Sequence, residues 1–305
     1  MKRVLVTPRS LTNGDHPAFR LLRKAGWEIV LGPSGRLPEE SELRALLPGC
    51  IGWIAGIETI SAQTLAHATE LKVISRNGSG VDNIPLADAA RLGITVLRAA
   101  GANAQGVAEL TLGLALSAAR DIHHSDRALK AGTWHRSIGS ELNGKEVSVV
   151  GYGRIGRSVA QLFAAFGSVV SVIEPLEVAT EPFKRIDLGY AIQEAELITL
   201  HCPPASDGTP LLTRNRLAKI KPGMILINTA RRALVDEPAL LEQLDSGRIV
   251  AYCSDVFDHA DASVAKLIAH PRVIATGHLG AFTRESVDRA AVEAVQNLLA
   301  FFEND

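Results

Sequence analysis

The sequence predicts an α/β protein made of two doubly wound parallel-sheet domains. Three observations carry that prediction. Short apolar runs alternate with helical patterns from the first residues onward. The chain has 305 residues, more than one ordinary core organises and well suited to two. A glycine-rich turn joins a β-rich run to a helical pattern near mid-chain, and a second α/β series starts there.

In the first series, β-rich runs fall at residues 4–6, Trp27–Leu31, 51–54, 73–75 and 94–97, with helical patterns at 17–25, 62–68 and 86–92. Strands alternating with helices imply a parallel sheet covered on both faces. Five strands in about the first hundred residues make a flavodoxin-like domain. One long helical pattern then covers residues 105–130 and bridges into the second domain. Glu109 near its start favours the helix dipole, and Gly132 just beyond its end is a stop signal. Its small-residue face (Gly113, Ala115, Ala118, Ala119) invites close packing by another helix.

The second series opens with Glu146–Val150 and Val169–Ile173, and continues with strands at 197–201, Met224–Asn228, 249–253 and 273–276. Before the strand at 249–253, Asp236 reads as an N-cap, Glu237 and Pro238 as a first helical turn and Gly247 as the stop. The last segment, 283–302, reads as an amphipathic helix with Val287, Ala291, Val295 and Leu298 on one face. With no strand left to follow, it packs back on an existing domain.

Residues 147–156 read Val-Ser-Val-Val-Gly-Tyr-Gly-Arg-Ile-Gly, and Glu174 follows the next strand. Strand, glycine turn, helix, strand and acid together form the fingerprint of a Rossmann dinucleotide site. Gly151 makes the tight turn, Gly153 lets backbone approach a pyrophosphate, and Gly156 lets helix and strand close up. The helix N-terminus attracts the phosphates. Glu174 would accept from adenosine ribose hydroxyls and repel a 2′-phosphate, so NAD is expected over NADP.

Composition narrows the alternatives. The chain is 47% hydrophobic and 21% charged, with a formal net charge of −1, which gives it no electrostatic reason to seek nucleic acid or an anionic membrane. The apolar run at 110–119 is too short for a bilayer, and the opening residues lack a secretory pattern. The odd, scattered cysteines (Cys50, Cys202, Cys253) have no metal-type spacing and read as free thiols of a cytoplasmic protein. His123 and His124 read as solvent-side helix residues with no further ligand nearby, so no metal site is expected.

Ligands of open α/β sheets bind beyond the carboxyl ends of strands. Arg231, Asp255 and His278 each follow such an end in the second series. A guanidinium can grip a carboxylate bidentately, and an imidazole can exchange a proton with a hydroxyl or carbonyl. Asp255 has two readings, a contact to cofactor or the cap of a turn.

With these motifs in order, the chain resembles the D-isomer-specific 2-hydroxyacid dehydrogenase family, nearest to its phosphoglycerate-dehydrogenase-like members. The resemblance runs through residues 74–84, 92–96, Asn103, 107–109, the glycine turn, His201-x-Pro203, Thr209, 228–231, 255–257 and 277–280. It implies hydride transfer between NAD(H) and C2 of a small 2-hydroxy or 2-keto acid. Arg231 would bind the substrate carboxylate and polarise the carbonyl, with His278 as acid/base. The N–H groups of Asn77, Gly78, Ser79 and Gly80 would hold the carboxylate, and Asn103 would line the site. Arg154 and Ile155 would present N–H groups to the pyrophosphate, Pro203 would flank adenine, and Asp255 would accept from the carboxamide. His201, Thr209, Thr229, Ala230, His278 and Gly280 complete the cofactor lining. The resemblance also implies a substrate domain of residues 1–100 plus 281–305, an NAD-binding domain of 101–280, and a homodimer through the latter with Trp134 at the contact. A basic residue at Arg76 would be structural.

Two departures stand out. The glutamate that orients the family's histidine falls on Ala260, with Asp258 and Asp261 as candidate substitutes and His259 between. The formate-oxidising branch of the family has glutamine there, so hydride chemistry survives the loss. Arg232 replaces the usual small residue after the catalytic arginine, either as an extra cation for a phosphorylated or dicarboxylate substrate or as an outward-facing side chain. The missing glutamate leaves a second function open, an NAD(H)-binding regulatory or scaffold protein with weak or no dehydrogenase activity.

Overall fold

The structure, a computed structural model, describes residues 2–257 and 264–303. The chain divides into two units, Met1–Asn103 with Ala281–Asp305, and Ala104–Gly280.

In the first unit the strands are β1 (Lys2–Val6), β2 (Trp27–Leu31), β3 (Gly52–Ala55), β4 (Val73–Arg76) and β5 (Thr95–Arg98). They pair in parallel in the order β2-β1-β3-β4-β5, the flavodoxin order. Helices α1 (Phe19–Lys24), α2 (Glu40–Leu46), α3 (Ala62–His67) and α4 (Leu86–Arg91) connect them. Leu5, Trp53 and Ile74 point into one apolar cluster, and Val4, Val6, Ile54 and Val73 into another on the opposite face. The alternation follows from the two-residue period of a strand.

In the second unit α5 (Ala104–Arg120) and α6 (Ile122–Lys130) precede β6 (Glu146–Val150), α7 (Arg154–Ala165), β7 (Val169–Ile173) and β8 (Lys184–Arg185). Then come α8 (Leu188–Glu194), β9 (Leu197–Leu200), α9 (Arg214–Leu217), β10 (Met224–Asn228), α10 (Glu237–Asp245), β11 (Ile249–Ser254), α11 (Ala265–Ile268) and β12 (Val273–Ala275). The seven strands are parallel in the order β12-β11-β10-β9-β6-β7-β8, with apolar clusters on both faces.

The final helix α12 (Arg284–Glu303) belongs to the first unit. Ala291, Ala294, Val295 and Leu298 are buried there against Val4, Ile54 and Val73. The Ser75 hydroxyl donates to the Ala294 carbonyl at 2.7 Å. The expected return of the C-terminal helix to the N-terminal sheet is what the chain does.

One expected element is corrected. The helical pattern over 105–130 is two helices, because Asp121 adopts the left-handed conformation (φ 54°, ψ 34°) between α5 and α6. Aspartate tolerates that region better than most residues. Its carboxylate compensates by bonding His124, His135 and Ser137. The small-residue helix α5 packs on α7, with Ala115 and Ala119 in one cluster with Val159, Ala160 and Phe163.

Candidate functional site

Parallel pairing sends every strand of the second unit to one rim with its carboxyl end. Neighbouring strands are about 4.8 Å apart. Read along that rim, the predicted residues fall in the order His278 after β12, Asp255 after β11, Arg231 after β10, His201 after β9, the glycine turn after β6 and Glu174 after β7. From Glu174's strand to Arg231's is three steps, about 14 Å, enough for an extended dinucleotide to lie between them.

The glycine turn is built for close approach. Gly151 has φ +91°, and a Cβ there would lie 2.6 Å from the His201 carbonyl oxygen. A Cβ on Gly156 would lie 1.9 Å from the Gly151 carbonyl oxygen, an impossible contact that makes glycine obligatory. A Cβ on Gly153 would meet nothing within 4 Å, so the space over the turn is open. Gly153 caps α7, and the N–H groups of Arg154 and Ile155 occupy its first turn, where no carbonyl of the same helix can reach them. Glu174 sits beside this turn: its Oε2 accepts from the Tyr152 N–H at 2.8 Å and Oε1 from the Leu176 N–H at 3.0 Å. Open space over glycine, helical N–H groups and a carboxylate held at the adenosine end fit NAD.

The residues after β9 behave differently from one another. The His201 ring is turned onto Thr199, Nε2 to Oγ1 at 2.8 Å, and burial pulls its pKa down to about 3. Its main chain, which crowds Gly151, is what borders the glycine turn. Pro203 and Thr209 are exposed on the following loop, where the Thr209 N–H donates to Asp207. Burial pushes the Cys202 thiol up to about 11, with the Glu174 charge adding to the rise.

Arg231 and His278 are positioned by buried polar groups. Asn228 ends β10 fully buried; its side-chain amide donates to the Arg231 carbonyl at 2.8 Å and its Oδ1 accepts from the Ala230 N–H at 3.1 Å. Thr229 is buried with its hydroxyl 3.1 Å from that of Thr111 on α5. Asp255 is 3% exposed, and its carboxylate accepts from the Thr276 hydroxyl (2.6 Å), the Leu279 N–H (2.7 Å) and the Gly280 N–H (2.8 Å). Those bonds bracket His278, which is exposed and held at φ 59°. Of the two readings of Asp255, the cap of a turn is thus realised. A carboxylate offers about four acceptor positions, so one remains for a cofactor amide. Asp258, His259, Ala260 and Asp261 lie outside the described residues.

Arg232 forms a bidentate ion pair with Glu237 at the start of α10, both bonds at 2.7 Å. Its charge is matched inside the unit, against the reading in which it serves an anionic substrate tail.

In the first unit, the loop after β4 corrects one expectation. The Asn77 N–H donates to the Ala55 carbonyl (2.9 Å) and the Gly78 N–H to the Arg76 carbonyl (2.8 Å), so both are engaged. Only the N–H groups of Ser79 and Gly80 make no hydrogen bond to another described residue. The Ser79 hydroxyl donates to Asn103 Oδ1 at 3.0 Å. Arg76 is buried and donates to the Asn77 carbonyl.

A parallel sheet with a glycine turn, an acid after the next strand, and Arg231 and His278 on the same rim is the layout of a dinucleotide-binding fold. The model for the D-isomer specific 2-hydroxyacid dehydrogenase NAD binding domain matches residues 112–280. The chain is 36% identical over 267 residues to the hydroxypyruvate reductase of Thermotoga maritima, covering 85% of this chain and 87% of that one. It is 38% identical over 311 residues to the D-3-phosphoglycerate dehydrogenase of Bacillus subtilis, covering 99% of this chain but only 57% of that longer protein. A crystal structure of a Thermus thermophilus protein superposes with a TM-score of 0.88 at 35% identity, over 99% of this chain and 97% of the other. The chain belongs to the D-isomer specific 2-hydroxyacid dehydrogenase family, and its cofactor is NAD.

Among the described residues, no helix is long and apolar enough to cross a membrane.

Proposed function

We propose that this protein exchanges a hydride between NAD(H) and C2 of a small, unphosphorylated 2-hydroxy or 2-keto acid. The observation that carries the reading is the pair Arg231 and His278, which follow the two strands flanking β11, on the rim that also holds the glycine turn. Bound NAD(H) supplies the hydride donor or acceptor. Arg231 grips the substrate carboxylate and polarises the C2 oxygen, its main chain fixed by Asn228. His278 takes the hydroxyl proton in oxidation and returns it to the carbonyl oxygen in reduction. Asp255 keeps the His278 turn in place so that the imidazole need not be reoriented at each turnover. Within the first unit, the Ser79 and Gly80 N–H groups make no hydrogen bond to another described residue, as a loop that binds an anion requires. The Arg232–Glu237 pair supports a substrate without a phosphate, in line with the hydroxypyruvate reductase among the relatives.

The test is NADH oxidation with glyoxylate, pyruvate, hydroxypyruvate and phosphohydroxypyruvate, for wild type and His278→Ala. Hydroxypyruvate or glyoxylate should be preferred, and the variant should lose about 10²–10⁴ of the rate. No turnover with any of the four would favour an NAD(H)-binding regulatory protein instead.

We further propose a homodimer through the second unit. Helix α6 has no buried residue, and Ile122, Leu129, Trp134 and Ile138 on it and just after it are exposed. Such a run of apolar side chains is the kind of surface a second copy covers. Three unpaired cysteines support a reducing, cytoplasmic setting.

A further inference from the structure

We propose that Asp121, His123 and His124 form a binding site for a divalent transition-metal ion of the zinc type. The left-handed turn at Asp121 folds its carboxylate back over the first turn of α6, where both histidines stand. One ligand atom from each of the three residues lies within 4.8 Å of the others. The His124 Nδ1 is 2.6 Å from Asp121 Oδ1, and the rings of His123 and His124 have centroids 3.9 Å apart. Both nitrogens of His123 are shielded from solvent, with the Ser117 backbone as a hydrogen-bonding neighbour of the ring. Beside a second imidazole and a carboxylate, the ring still offers a nitrogen within reach of the other two ligands.

The support around the carboxylate fits as well. Its other oxygen, Oδ2, is held by His135 Nε2 at 2.7 Å and by the Ser137 hydroxyl at 2.8 Å. Partners of this kind orient a metal-binding carboxylate, and their loss typically weakens affinity 10–100-fold. At zinc-to-ligand distances near 2.1 Å, tetrahedral ligand atoms stand about 3.4 Å apart. The 2.6 Å contact therefore has to open by less than about 1 Å, a side-chain adjustment. Two imidazoles and a carboxylate suit zinc, nickel or cobalt, whereas magnesium and calcium prefer oxygen ligands. Three protein ligands leave a fourth position for water. In the single chain the Asp121 and His124 side chains are 22% and 28% exposed.

The probe is zinc chloride titrated into the full chain by calorimetry. The expected result is one ion per chain with micromolar or tighter affinity, and no heat from millimolar magnesium. A His123→Gln/His124→Gln double variant should lose at least a hundredfold in affinity, and His135→Asn about tenfold, with NADH binding unchanged in both. Absence of zinc binding, or affinity in the double variant within twofold of wild type, would overturn the site. Should the double variant fail to fold, zinc-edge X-ray absorption of the wild-type complex decides. Nitrogen and oxygen ligands with two imidazoles support the site, and any sulfur ligand places the ion elsewhere and refutes it.

Discussion

The two halves of the chemical rim are held by different means. At the cofactor half, main chain packs on main chain: Gly151 against His201, Gly156 against Gly151. At the reactive half, side chains hold other side chains' loops: Asn228 fixes the segment before Arg231, and Asp255 fixes the turn that presents His278. A site made of backbone tolerates almost no change of residue, because the space is already filled. A site held by polar side chains tolerates change in shape but loses precision one hydrogen bond at a time.

That contrast is open to direct attack. The largest effect is expected from Gly156→Ala. Its methyl would sit 1.9 Å from a carbonyl oxygen, so α7 must move off β6. NADH binding, followed by fluorescence, should be lost and the thermal midpoint should fall; near-normal NADH affinity would mean that the turn is softer than its geometry. Next is Arg231→Ala, which should cut kcat/KM by about 10³ or more while NADH affinity stays within a few-fold. Such a split is the mark of an interaction made with substrate and not with cofactor. An equal loss in both quantities would remove Arg231 from its role. Third is Asp255→Asn, which deprives buried donors of a charged acceptor and frees the His278 turn. Here kcat should fall about 10²-fold with little change in NADH affinity; a matching drop in NADH affinity would make cofactor contact the main task of Asp255.

The smallest effect concerns pH. The buried His201 ring has its pKa lowered from 6.5 to about 3, so the folded chain refuses a proton that the unfolded chain accepts. Its contribution to stability is therefore complete above pH 6.5 and declines as pH falls toward 3, by up to about 1.4 kcal/mol per pH unit. Denaturant unfolding between pH 4.5 and 7 should show this slope, and His201→Gln should flatten it. An unchanged slope would assign the acid sensitivity to other groups.

The elements most legible in the sequence were those with a strict local period. Strands such as Met224–Asn228 and the helix capped by Asp236 fall where pattern and capping place them, with the Asp236 carboxylate accepting the Ala239 N–H at 3.0 Å. The glycine turn was legible because strand, glycines, helix and closing acid follow one another between Glu146 and Glu174. Less legible was anything set by partners distant in sequence. The break at Asp121 interrupts a continuous helical pattern, and it is sustained by His135 and Ser137, well beyond the helix. The engaged N–H of Asn77 depends on Ala55, a neighbouring strand away. The ion pair that occupies Arg232 spans only five residues, but it needs the following helix to start where it does. Strand β8 is two residues long at a sheet edge, too short for any periodic signal.

Because all seven strands of the second unit run the same way, its two rims have separate tasks. The rim opposite the chemistry is made of the turns that lead into strands, such as those at Gly144 before β6 and Gly223 before β10, and added atoms at either would meet nothing within 4 Å. Both glycines sit at positive φ (72° and 88°), where a side chain is strained, so for an engineer the anchor points are the exposed residues beside them. A dye, an affinity handle or a surface tether attached there would leave the working rim facing away from its support.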